Sequence, residues 1–208
     1  MNKRIKIILW SLLVILSISV AGYAFSYLSF TPDRGFPAQK PEALRTSVFW
    51  LLAFYTHISF GGIALLTGVF QFSEKLRKRM ALHRTLGKIY LISILLGGVA
   101  GFILSLFAEG GIIAKVGFNL LAVTWLLTSW LAYSSIRNRD LEAHRKWMLR
   151  SYAACCAAIS LRLILPFELA ALHMDFTTAY QIVAWACWVP NMIVIEMYIR
   201  IQKQVQLA

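Results

Sequence analysis

The stretch Val48–Phe72, VFWLLAFYTHISFGGIALLTGVFQF, carries no lysine, arginine, aspartate or glutamate. Its length meets the roughly 20 mainly apolar residues that a helix rising about 1.5 Å per residue needs to cross a bilayer. Five more segments pass the same test, at about 7–28, 86–107, 116–135, 149–167 and 177–199. A turn-rich connection, Thr31 to Arg45 with Pro32, Gly35, Pro37 and Pro41, separates the first two. The expected fold is all-α, one six-helix transmembrane bundle formed by residues 1–208. The fifth helix is expected to end near Pro166 and the sixth to carry Pro190 inside it, as a kink that neighbouring helices tolerate.

Composition agrees. Of 208 residues 59% are hydrophobic and 14% charged, and the mean hydropathy is +0.67, which excludes a soluble globular domain and a disordered chain. The three cysteines, Cys155, Cys156 and Cys187, all lie in apolar runs, so a disulfide-stapled secreted scaffold is excluded too.

A net charge of +12 suggests nucleic acid until its distribution is read. Sixteen of the 21 basic residues fall at the N-terminus (Lys3, Arg4, Lys6), in the second-to-third connection (Lys75 to Lys88), in the fourth-to-fifth (Arg137 to Arg150), or after the sixth segment (Arg200, Lys203). Short loops rich in Lys and Arg stay inside, so both termini are expected in the cytoplasm. The opposite loops hold Arg34, Lys40, Arg45 and Lys115 against five acidic residues. Membrane topology thus accounts for the charge, with no nucleic-acid partner, and the basic loops favour anionic lipid headgroups. Lys3, Arg4, Lys6 and Val20-Ala21-Gly22 also fit a cleaved signal peptide, but the apolar run exceeds a signal core of roughly 7–15 residues, and an uncleaved helix is expected. The charge asymmetry points to a bacterial-type inner membrane, as a multi-pass protein.

Polar side chains within a bilayer are costly and so mark candidate sites. His57 lies about ten residues into the second helix, roughly 15 Å deep by helical rise. Arg162, on the fifth, is shallower, and the two can face one another. Gly61, Gly62 and Gly68 follow His57 and clear volume on its helix, for a close helix contact or a flat cofactor. The bland alternatives are that Arg162 snorkels or pairs with Glu168, and that His57 bonds a backbone carbonyl. Asn119, Thr124 and Thr128 on the fourth helix, with Trp125 and Trp130, are expected to bond between helices.

Two histidines sit on the cytoplasmic rim, each followed by arginine: His83-Arg84 opening the third helix and His144-Arg145 before the fifth. At similar depth, two imidazoles can hold haem iron, with the arginines placed for propionates. Zinc is disfavoured because the thiols lie on other helices at other depths, and the plain alternative is solvated loop histidines. His173 reads as a surface residue. Helix six carries Trp185 and Trp188, read as packing or lipid-facing, then Pro190-Asn191, whose amide can satisfy backbone groups freed by the kink, and Glu196, placed to pair with Arg84 or Arg150. No phosphate-binding loop, nucleophile triad or metalloprotease motif is found. The adjacent Cys155-Cys156 is no thioredoxin-type pair.

These motifs together resemble a family of integral membrane proteins of bacteria and fungi known only as a domain of unknown function. The resemblance rests on His57 with Gly61 and Gly62, Gly68 with Gln71-Phe72, Leu82-His83-Arg84 with Gly87 and Tyr90, and His144-Arg145 with Trp147-Met148 and Arg150. Arg162, and Trp188-Val189-Pro190-Asn191 with Glu196, complete it, from about Phe49 to Arg200. A looser similarity is to transmembrane b-type cytochromes, which hold haem between histidines on alternating helices. It implies one bis-histidine site at His83 and His144. The fourth helix has no histidine to pair with His57, which argues against a two-haem wire.

The leading expectation is a membrane redox protein that binds one haem b through His83 and His144, with Arg84 and Arg145 beside it, and exchanges electrons with a quinone or small redox partner. Its rivals are a small transporter or channel-like protein with a polar site of His57, Arg162, Asn119, Asn191 and Glu196, and a non-catalytic scaffold.

Overall fold

A computed structural model describes residues 3–29 and 36–207, with 30–35 of the outer turn and the side chains of Lys3, Lys6, Leu28, Ser29, Lys203, Val205, Gln206 and Leu207 outside the described residues. Among the described residues there are helices and no strands. Six apolar helical spans are long enough to cross a membrane: Ile7–Phe25, Val48–Gln71, Met80–Ser105, Gly111–Arg137, Leu141–Ala170 and Phe176–Gln202. The chain forms two compact units, Met1–Leu104 and Ser105–Ala208.

In the first unit α1 (Lys3–Phe25) packs along α3 (Val48–Gln71). Small side chains make the approach possible: Ser17, Ala21 and Ala24 are buried on α1, and a Cβ on Gly62 of α3 would stand 3.3 Å from the Phe25 ring. Above them, α2 (Glu42–Arg45) leads into α3, whose N-cap Ser47 accepts from Trp50 N at 3.3 Å. Phe54 stacks on both Trp50 and Phe36, and Lys40 lies 4.4 Å from the Phe36 ring centre. The short α4 (Glu74–Lys78) then turns the chain into α5 (Met80–Ser105).

In the second unit the first helix starts on Gly110 and Gly111, at φ +84° and +68°, a left-handed pair that suits residues without Cβ. Gln181 donates to the Gly110 carbonyl at 2.8 Å and fixes that corner. α6 (Gly111–Arg137) and α7 (Leu141–Cys155) form a tight helical hairpin in which Ser129 Oγ meets Ser151 Oγ at 2.7 Å. α8 (Ala157–Ala170), α9 (Phe176–Ala186) and α10 (Val189–Leu207) complete the unit. Asp175 caps α9 by accepting from Thr178 N at 3.0 Å, and its hydrogen bonds with Thr178 hold the carboxyl below its ordinary range.

Several boundaries differ from the sequence expectation. The third span begins at Met80 rather than near residue 86, and the fifth at Leu141 rather than 149, because charged residues with good helix propensity continue the helix past the apolar core. Pro166 does not end the fifth helix. It lies inside α8, which runs on to Ala170. The sixth span is not merely kinked: it stops at Ala186 and restarts at Val189, with Pro190 second in α10, where a missing N–H forfeits no intrahelical bond. The fifth span is interrupted as well, at Cys156.

Gly117 brings α6 against α9, since a Cβ there would lie 2.9 Å from Ala184 O and 3.0 Å from Trp185 Nε1. Gly117→Ala should therefore lower stability in detergent by about 1–3 kcal/mol. Gly22→Ala, with nothing within 4 Å of its added Cβ, should stay within about 0.5 kcal/mol. Equal thermal unfolding of the two variants would contradict this close contact.

Candidate functional site

His144 is helical, not a loop residue as expected. Asp140 caps α7 through its carboxylate, which accepts from Ala143 N at 2.9 Å, and its carbonyl accepts from His144 N at 3.0 Å. The first turn therefore carries the imidazole back over α6, where Nδ1 lies 2.8 Å from Ala132 O. A carbonyl only accepts, so Nδ1 bears the proton, and in the neutral ring Nε2 keeps its lone pair. Next to it, Arg150 stacks 4.5 Å from the Trp147 ring centre and donates from Nε and Nη2 to Glu196 Oε2 at 2.9 and 2.7 Å. Glu196 thus ties α10 to α7, with Arg200 Nε 3.5 Å from its other oxygen. Lys146 pairs with Glu142, and Arg145 is exposed.

His83 lies in the first turn of α5, as expected of a residue that opens the third helix. Its N–H donates to Arg79 O at 3.0 Å, and it is half-buried, with Arg84 exposed beside it. Gln71, a buried residue at the end of α3, reaches the His83 carbonyl through Nε2 at 3.4 Å. No separate role for Gln71 follows from its sequence context, because a glutamine at a helix end normally reads as solvated.

His57 Nδ1 lies 2.8 Å from Gly97 O on α5. The glycine that receives the ring is Gly101 on that facing helix, while Gly97, which supplies the carbonyl, meets α3 at Phe60 and Gly61. A Cβ on Gly101 would stand 2.8 Å from His57 Nδ1. Of the glycines that follow His57 on its own helix, Gly62 makes the close helix contact expected of it, against Phe25 and Ala21 of α1.

In the second unit Arg162 Nη1 donates to Ala158 O at 2.9 Å, within its own helix. Glu168 Oε2 is buried without a hydrogen-bond partner among the described residues. The expected interhelical bonds of Asn119 and Thr128 are not formed by the contacts seen. Asn119 Nδ2 donates to Lys115 O at 2.9 Å and Thr128 Oγ1 to Thr124 O at 2.7 Å, the back-bonding that satisfies a polar side chain where no water is available. Trp125 Nε1 is buried without a partner among the described residues. Asn191 does reach across helices. Its Nδ2 lies 3.0 Å from Cys187 O, 3.3 Å from Ala153 O and 3.1 Å from Ser160 Oγ. Trp185 and Trp188 stack at 6.2 Å, and Trp185 Nε1 donates to Ile113 O at 3.2 Å. Among the described residues, no three His, Cys, Asp or Glu side chains gather as a metal site would require.

Fold and polar contacts together define a multi-pass α-helical membrane protein in which histidine, asparagine and glutamate bridge neighbouring helices. The chain belongs to the family described as Predicted membrane protein (DUF2306), which matches residues 54–199 and so takes in every one of these bridges. No curated protein and no solved structure matches it.

The His57 clasp gives a direct test. His57→Leu deletes the hydrogen bond to Gly97 O and should cost about 1 kcal/mol, while Gly101→Ala crowds the ring and should cost about 1–3 kcal/mol. Because both act on one contact, a double-mutant cycle of unfolding in detergent should show coupling above about 0.5 kcal/mol. Additive losses would mean that the ring and the glycine act separately.

Proposed function

We propose that the protein is an electron carrier of a bacterial-type inner membrane that would hold one haem b through His144 and through His83, the latter chosen from sequence alone. The observation that carries this reading is the bond from His144 Nδ1 to Ala132 O at 2.8 Å. Iron-bound imidazoles commonly donate their second nitrogen to a carbonyl, which fixes tautomer and ring orientation and raises the basicity of the ligating nitrogen. The residues fit the group on this count: Nε2 of His144 is the nitrogen left to bind. Bound iron would supply one-electron oxidation and reduction. The chain's own work is to orient the imidazole from α6, to keep Arg150 neutralised by Glu196, and to offer exposed Arg84 and Arg145 as cationic partners for propionates.

A scaffold reading draws on one specific observation, the His57 clasp to Gly97, which serves packing without any ligand. Transport through His57 and Arg162 has less behind it, since both side chains have backbone carbonyls as partners.

The test is a reduced-minus-oxidised spectrum of the purified protein expressed with ample haem. A b-type band near one haem per chain is expected, abolished in His83→Ala and in His144→Ala while both variants still insert in membranes. A colourless folded protein, or a full band in both variants, overturns the assignment.

A further inference from the structure

In the first unit the connection from the second span to the third has little slack. α4 ends at Lys78 and α5 starts at Met80, so Arg79 alone separates them, and its ψ of 77° makes the turn. Hydrogen bonds run through both sides of it: Arg77 N donates to Ser73 O at 3.0 Å, and His83 N to Arg79 O at 3.0 Å. Gln71 Nε2, at the end of α3, reaches His83 O at 3.4 Å. The end of α3, the whole of α4 and the first turn of α5 thus form one tied elbow rather than a loose loop.

That elbow holds Lys75, Arg77, Lys78, Arg79, Arg84 and Lys88 against a single acid, Glu74. All six cations are exposed, and among the described residues none of them is in an ion pair. The basic segments of the second unit are built differently. There Lys146 pairs with Glu142, and Arg150 and Arg200 share Glu196, the acid that the sequence offered equally to Arg84. Three cations of that unit are neutralised by its own acids, whereas those of the elbow are left for a partner. A dense, unneutralised patch of one sign is complementary to an anionic surface.

Apolar side chains stand among these charges. Met80 is 53% and Leu82 42% exposed, where the apolar span Met80–Ser105 begins. A polyanion in water would cover the cations and leave these two side chains wet. A phospholipid meets both, with its phosphate on the cations and its glycerol and acyl carbons on Met80 and Leu82.

We infer that the α4–α5 elbow is a docking surface for anionic phospholipid of the leaflet it faces. Loop charge alone would draw such lipid to both units alike; the ion pairs of the second unit single out the first.

The test follows thermal unfolding of the full chain, purified in the neutral detergent dodecyl maltoside, as phosphatidylglycerol is added to the micelles. Saturable stabilisation that weakens with added salt is expected, and none from phosphatidylcholine. With Lys75→Gln, Arg77→Gln and Lys78→Gln combined, the half-saturating lipid fraction should rise about tenfold or more, since each Lys or Arg near an anionic leaflet contributes roughly fivefold. Arg137→Gln, Arg139→Gln and Lys146→Gln combined remove as many cations from the second unit and should leave it within about twofold of the wild type. Affinity is read from the half-saturating fraction, so a shift in the lipid-free unfolding temperature does not enter.

No saturable effect, equal stabilisation by phosphatidylcholine, or equal losses in the two triple variants each overturns the docking surface. Equal stabilisation by tripolyphosphate or by a DNA oligonucleotide would make the ligand a soluble polyanion and overturn the lipid. None of the six substituted side chains is among those offered to haem, so the outcome is independent of that assignment.

Discussion

Inside a bilayer every backbone carbonyl and N–H must find its partner within the protein, because the lipid tails offer none. That constraint organises the structure at two scales. It makes the described chain helical throughout its spans, and it dictates what the few intramembrane polar side chains do. His57, His144, Arg162, Asn119, Asn191, Ser129 and Thr128 each touch a main-chain carbonyl. A carbonyl engaged in its helix still has a second lone pair, and these side chains use it. The same bond either closes on its own helix, as at Thr128, or crosses to a neighbour, as at His57.

The crossing bonds are the ones with consequences, and they depend on how closely helices approach. Gly101 admits an imidazole, Gly97 admits the backbone of α3, Gly117 admits the backbone of α9, and Gly62 admits a phenyl ring. In each case the absent side chain serves a partner on another helix. Without a hydrophobic drive between helices in lipid, such close packing and the bonds it permits are the main sources of association. The Arg150–Glu196 fork follows the same logic at the rim, where two donors on one planar group fix the angle between α7 and α10.

Much of this was legible from the sequence. Six apolar runs gave six spans, since segment length against bilayer thickness is a one-dimensional test, and the pairing of Glu196 with a rim arginine needed only charge and depth. The helical state of His144 was less visible, because an apolar window stops where the charges begin while the helix continues through them from the Asp140 cap. The partner of His57 was hidden for a different reason. A glycine on the same helix is seen by counting, whereas Gly97 and Gly101 come opposite only through tertiary packing. The break at Cys156 has no glycine or proline to announce it, and Asn191 signalled only the one beside Pro190.

The connection between α6 and α7 is Asn138, Arg139 and Asp140, with Arg139 at φ 62°. So short a link leaves the two helices few relative arrangements, and their cross-contacts, His144 to Ala132 and Ser129 to Ser151, join residues close in sequence. The entropy of closing such small loops is low. During synthesis this pair can therefore enter the membrane as one preassembled hairpin, its serines and histidine already shielded from lipid before the later, interrupted helices emerge.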